Sequence, residues 1–224
     1  MNAITLLEKM IALLETKKEI SPDLVASKLR SDYQDTSNDP DAKSLENLHR
    51  IISEMQIQHL TLHEFLNKVA QFVYLQLNIH SLTIGIKDPI DKKFHYIAFA
   101  GLRKQSENAL KNCVYTKEEL LDPRKYPGTA ISKYTKLFLA ENNPYAPGEE
   151  ETYNRPLMLT QKRTTLNDSI EGDYLDIWIM ERNEIVGWIE ISGTKDGKLP
   201  NTKTILWLEL VASIIGLIIG LKSD

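Results

Sequence analysis

Residues 174–192 read YLDIWIMERNEIVGWIEIS. Two runs with strand-like alternation, Tyr174–Met180 and Ile185–Ser192, flank the polar Glu181-Arg182-Asn183-Glu184, and the pattern predicts an antiparallel hairpin. Successive side chains point to opposite faces, so a one-residue slip would exchange every side chain between them, and the apolar set selects the register. In that register Leu175, Ile177 and Ile179 share a face with Ile185, Gly187, Ile189 and Ile191. Tyr174, Asp176, Trp178 and Met180 share the other with Val186, Trp188, Glu190 and Ser192. The first face is a dry platform for helices. The second, with two tryptophans and two carboxylates, suits either the lining of a cavity or the solvated back of a half-buried sheet.

The segment Ile205–Leu221 follows. Its run of about 17 largely apolar positions, interrupted by Glu209, falls short of the ~20 that cross a bilayer, so a buried closing helix is expected and a membrane is not. Glu209, Ser213, Gly216 and Gly220 form one helical stripe, and the glycine pair lets another backbone approach, whether a strand or a partner helix. Aliphatic residues on the remaining sides require the helix to be covered twice, once by a sheet and once by a bundle or second subunit.

The 224 residues, 42% hydrophobic, are enough for one sizeable core with an appendage. A net charge of -4 and no basic stripe give no electrostatic case for nucleic acid. A single cysteine, Cys113, excludes an internal disulfide framework and suits a reducing cytoplasm. Glu8 and Lys9 interrupt Ile4–Leu14 and no small-residue cleavage site follows, so no signal peptide is expected.

From the N-terminus, the spacing of Ile4, Leu7, Ile11 and Leu14 predicts an amphipathic helix over Ala3–Glu19. Ser21-Pro22-Asp23 starts a second, and Asp32–Ala42 reads as a linker. Residues 1–42 are therefore expected to be a helical segment with its linker, and 43–224 the main domain. A helix from Ser44 carries Leu45, Leu48, Ile52 and Met55; another begins at the capping box Thr61-Leu62-His63-Glu64. Strands are expected over Ser81–Lys87 and Phe94–Ala100, paired with each other. Short helices follow near 102–112 and 116–121, then a helix turn at Pro127–Tyr134 and a strand at Leu137-Phe138-Leu139. Asn142–Arg155, rich in proline and glutamate, reads as an exposed loop able to act as a lid.

This order of elements resembles the GAF fold, a relative of PAS sensor domains. The residues that carry the resemblance are Gly128-Thr129-Ala130 followed by Lys136-Leu137-Phe138-Leu139, the run Glu184-Ile185-Val186-Gly187-Trp188-Ile189-Glu190-Ile191, and the helix from Ile205. It extends from about Ser44 to Leu221. It implies an α+β fold with an antiparallel sheet of about six strands, one face on N- and C-terminal helices and the other on a pocket of small helices and loops. It also implies a homodimer in many members, here through helices near 44–58 and 203–221.

His59 and His63 stand four apart beside Glu64, but the capping box at Thr61 breaks the helix between them, so no metal site is expected. Cys113 is open to three readings: a reactive thiol, a bilin attachment point, or a small buried side chain. Photoreceptor relatives place histidine directly after the anchoring cysteine, where Val114 stands, and GAF-type reductases use more than one cysteine. Asp176 and Glu190 face each other in the predicted register, an arrangement found in acid–base pairs and, more commonly, as hydrated charges at a sheet margin. No phosphate loop or serine elbow is present, so an enzyme is not expected. The expected function is small-molecule sensing, relayed through a helical dimer interface to a separate signalling partner. The alternative is a ligand-free adaptor that binds a protein through its N-terminal helices. Phe99, Cys113, Tyr115, Tyr126, Thr129, Ser132, Trp178 and Trp188 are the candidate pocket residues; the cofactor, if any, is unidentified.

Overall fold

The computed structural model describes residues 21–34, 39–58, 60–143, 145 and 148–223; the expected helix over Ala3–Glu19 and His59 lie outside the described residues. The chain divides into two compact units, Met1–Glu46 and Asn47–Asp224. In the first, α1 (Pro22–Gln34) starts where Ser21 Oγ accepts from Leu24 N at 3.2 Å. The next helix, α2 (Pro40–Gln58), begins there and continues into the second unit. Asp39 caps it, its Oδ1 accepting from Asp41 N at 2.9 Å, with Pro40 in the first helical position. The expected linker Asp32–Ala42 is thus shorter than its polarity suggests, because Asp39-Pro40 is itself a helix start.

In the second unit, Thr61 caps α3 (Leu62–Gln76). Its Oγ1 accepts from Glu64 N at 3.2 Å, and Glu64 Oε2 accepts from Thr61 N at 2.9 Å. Phe65, Leu66, Val69, Ala70, Phe72 and Val73 are all buried, at helical spacing. The strands that follow are β1 (Leu82–Lys87) and β2 (Phe94–Ala100). Next come α4 (Lys104–Lys111), β3 (Val114–Tyr115), α5 (Lys117–Leu121), β4 (Thr129–Ala130) and β5 (Thr135–Phe138). The chain ends with β6 (Tyr174–Glu181), β7 (Glu184–Ile191) and α6 (Thr202–Ser223). The seven strands form one antiparallel sheet in the order β3-β2-β1-β7-β6-β5-β4. The two-residue edge strands bring the count above the six expected. Thr129–Ala130 pairs with β5 where a helix turn was expected; small residues permit either, and the ladder with Lys136 and Leu137 decides it.

The hairpin forms as read, with Arg182 (φ 45°) and Asn183 (φ 73°) in the two-residue turn that matches strand twist. Ile177 pairs with Ile189, Asp176 with Glu190 and Trp178 with Trp188. A bulge between Ile179 and Met180 then shifts the register, so Ile185 joins Met180 on the side of Trp188, and Val186 packs on the helix side. The expected faces of Ile185 and Val186 are therefore exchanged. A second bulge, between Ile84 and Gly85, keeps Phe94 and Tyr96 on the face of Trp188 and turns Ala98 and Ala100 to the helices.

The helix side holds the main core: Leu82, Ile84, Ile177, Ile179, Ile189 and Ile191 against α3 and against Leu208, Val211, Ala212 and Ile215 of α6. A Cβ at Gly216 would overlap the carbonyl oxygen of Met180, so the small-residue stripe serves a strand. Glu209 accepts from the hydroxyls of Ser132 and of Thr135 (2.7 Å), tying α6 to the β4–β5 hairpin. Thr202–Lys222 has a mean hydropathy of 2.3 and is long and apolar enough to cross a membrane by length and composition, but it lies along the sheet, with a third of it buried. Its opposite face exposes Leu206, Leu210, Leu217 and Leu221.

Candidate functional site

The other face of the sheet lines a cavity of about 420 Å³. Its floor is strand-borne: Thr83 of β1, Tyr96 of β2, Trp188 and Glu190 of β7, Tyr174 and Asp176 of β6, and Phe138 of β5. The wall is Leu110, Cys113, Tyr115, Leu120 and Tyr126, joined by Glu149, residues 152–154 and residues 171–173. Phe138 stacks on Tyr174 with ring centroids 4.5 Å apart, while Tyr96 and Tyr115 meet Trp188 edge-on at 5.2 and 6.2 Å. A Cβ at Gly85 would fall inside the Trp188 indole, so glycine on β1 is what lets that ring lie across the neighbouring strand.

Part of the expected lid, residues 148–155, is pinned as a wall. Ser106 Oγ of α4 donates to Tyr153 O at 2.6 Å, Arg103 Nε donates to the same carbonyl at 3.1 Å, and Arg103 N donates to Asn154 Oδ1 at 2.6 Å. Two buried acids beneath it have arginine partners: Glu171 with Arg155 and Asp173 with Arg163, each pair at 2.8 Å. Asp173 also accepts from Ala140 N at 3.0 Å and Ile170 N at 2.9 Å.

The central pair is different. Asp176, 5% exposed, stands opposite Glu190, and its Oδ1 has no hydrogen-bond partner. Glu190 Oε2 accepts from the phenol of Tyr96 at 2.9 Å. Thr83 Oγ1 lies near enough to Glu190 to favour its ionised form, yet falls outside hydrogen-bond geometry. Burial, and then the charge of Glu190, hold the Asp176 carboxyl well above the usual range; Lys136 pulls weakly the other way. Burial also pushes Glu190 up to about 7, against the hydrogen bond from Tyr96. Neither stands at an edge of the sheet, because β6 and β7 are interior strands: Asp176 is buried and Glu190 half-buried beneath the cavity.

Of the eight candidate residues, the structure brings Cys113, Tyr115, Tyr126 and Trp188 together around the cavity. Phe99 packs on Tyr96 with Lys111 over its ring, and Trp178 lies in the same cluster with Lys136 5.9 Å from its ring centroid, neither lining the space. Thr129 is exposed on the edge strand, and Ser132 is engaged with Glu209. Burial raises the Cys113 thiol, which donates to Ala109 O at 3.6 Å. Sequence reasoning missed Tyr96, Tyr174, Tyr153 and Glu171. The first was hidden by the β2 bulge, and Tyr174 was on the right face but at a strand end. Among the described residues no three His, Cys, Asp or Glu side chains are grouped to hold a metal, and His63 is exposed beside Asn67.

Solved structures align with this architecture over most of the chain. The GAF domain of an Acinetobacter phosphoenolpyruvate-protein phosphotransferase matches 79% of the chain and 92% of its own length at 19% identity, with a TM-score of 0.50. The corresponding domain from Coxiella burnetii matches the same shares at 16% identity and a TM-score of 0.52. The fold is that of a GAF domain. The photosensory core module of a Stigmatella aurantiaca phytochrome is similar in fold, matching 83% of this chain and 38% of its own at 12% identity and a TM-score of 0.51. No protein-family model and no curated protein sequence matches the chain. Within the GAF fold, the cavity lies between the sheet and the small-helix layer, on the side away from α3 and α6.

Proposed function

We propose that this chain is a small-molecule-sensing regulatory protein of signal transduction. It acts in the cytoplasm as a homodimer through helices near 44–58 and 203–221 and passes ligand occupancy to a separate signalling protein. The observation that carries the reading is the cavity of about 420 Å³, a size that suits a small organic ligand, walled by aromatics and floored by a few polar groups. The GAF-fold neighbours belong to a phosphotransferase and a photosensory module, contexts that support regulation. A ligand-free adaptor would need this space filled by the chain's own aromatics, whereas Trp188 and the tyrosines line it. No turnover belongs to the reading: the Cys113 thiol is half-buried and pushed away from the nucleophilic thiolate. Any signal requires that the ligand favour one of two arrangements of the helices.

A thermal-shift screen of the full chain against a metabolite panel, paired with tryptophan emission, tests this. A true ligand at 100 times its Kd stabilises by about 2.7 kcal/mol, or roughly 5–11 °C for a chain of this size. Loss of that shift in Trp188→Phe, folded in the absence of ligand, is the expected control result. A panel that moves neither signal would count against sensing.

A further inference from the structure

We infer that the ligand this cavity takes is a small organic cation, a protonated amine with an apolar body, seated with its N–H donors on Asp176 and Glu190. The inference rests on the sensing reading and names the ligand class. Three observations carry it. Asp176 and Glu190 are directly opposed on adjacent strands, an arrangement that two like charges disfavour unless a proton or a bound positive charge joins them. The neighbouring buried acids have arginine partners, whereas Asp176 Oδ1 has none and Glu190 is held by a neutral phenol. The walls beside the pair are Trp188, Tyr96, Tyr115 and Tyr174, whose π-faces and edges suit a cation and its hydrocarbon.

The other groups around the pair place no positive charge in hydrogen-bond contact with Asp176 Oδ1. Lys136, the β5 partner of Asp176, holds its ammonium by the Trp178 ring, outside the cavity lining. Lys125 is at the wall with its Nζ 5.4 Å from the ring centroid of Tyr126. The remaining titratable residues of the lining are Tyr96, Tyr115, Tyr126, Tyr153, Tyr174, Cys113 and Glu149, neutral or acidic, and Glu171 and Asp173, each paired with its own arginine. Burial first, then nearby acids or phenols, pushes Tyr174 and Tyr96 up, so the phenols stay protonated at neutral pH.

The test is isothermal calorimetry of the full chain with three probes that share one body and differ in charge: 2-phenylethylamine, 2-phenylethanol and 3-phenylpropionate. The amine is expected to bind at least tenfold more tightly than the other two and to release a proton, detected as a dependence of the heat on buffer ionisation enthalpy. Its affinity is expected to rise about tenfold between about pH 6 and about pH 8, as Glu190 gives up its proton near 7. Asp176→Asn and Glu190→Gln, near-isosteric changes, should each weaken it by at least tenfold with near-ultraviolet circular dichroism intact. If either variant fails to fold, proton release by the wild type decides. Equal or tighter binding of the alcohol or the acid overturns the cation assignment while leaving a ligand cavity in place. Silence from all three overturns the cation assignment, and the metabolite panel then judges sensing separately.

Discussion

Gly85 has no side chain because the indole of Trp188 occupies the place a Cβ would take. Gly85→Val is therefore expected to destabilise the domain by about 1–3 kcal/mol, the usual range for overpacking, and to red-shift tryptophan emission as Trp188 is displaced. Chemical denaturation followed by fluorescence reads both. The Asp176–Glu190 pair makes a second prediction at this scale. Both carboxyls are raised in the folded state, so the native protein binds more protons than the unfolded chain, and stability is fully present below ordinary carboxylate values and lost as pH rises through about 7. Asp176→Asn removes the opposed charge, and denaturation midpoints between about pH 5 and about pH 9 should become flatter than those of the wild type. A wild-type profile that rises through neutrality would contradict the buried pair.

At the scale of elements, α6 lies against β6 because Gly216 admits the Met180 carbonyl. Gly216→Val should lift the helix from the strand and lower the unfolding free energy by at least about 1–3 kcal/mol, whereas Leu217→Val, on the exposed face, should change the isolated subunit by less than about 0.5 kcal/mol. Much of this level was legible in the sequence. Alternation placed Ile177 opposite Ile189 and Trp178 opposite Trp188, and the Thr61 capping box marked α3. What escaped were features without a local signature. The bulges that exchange Ile185 with Val186 and keep Tyr96 over the cavity arise from strand pairing across the sheet. For the site, residue type pointed to Trp188, Cys113, Tyr115 and Tyr126. Thr129 and Ser132 were misplaced because the ladder to β5, invisible in a small-residue run, makes a hairpin of their segment. The same long-range pairing buries Asp176 and half-buries Glu190, whose alternation alone is equally consistent with a wet face.

At the scale of the molecule, the exposed row Leu206, Leu210, Leu217 and Leu221 on α6 is the surface through which the proposed homodimer would close. Fully burying one such leucine contributes about 1.5–3 kcal/mol, so the paired change Leu210→Lys and Leu217→Lys should convert a dimer to monomers without unfolding them. Sedimentation velocity beside circular dichroism measures the two effects separately. The central claim, that a small molecule occupies the cavity of a paired subunit, is tested most directly by native mass spectrometry of the freshly purified full chain. The expected spectrum is a dimer in which each subunit holds one low-mass species that collisional activation strips away. A bare monomer that also takes up none of the panel compounds would contradict it.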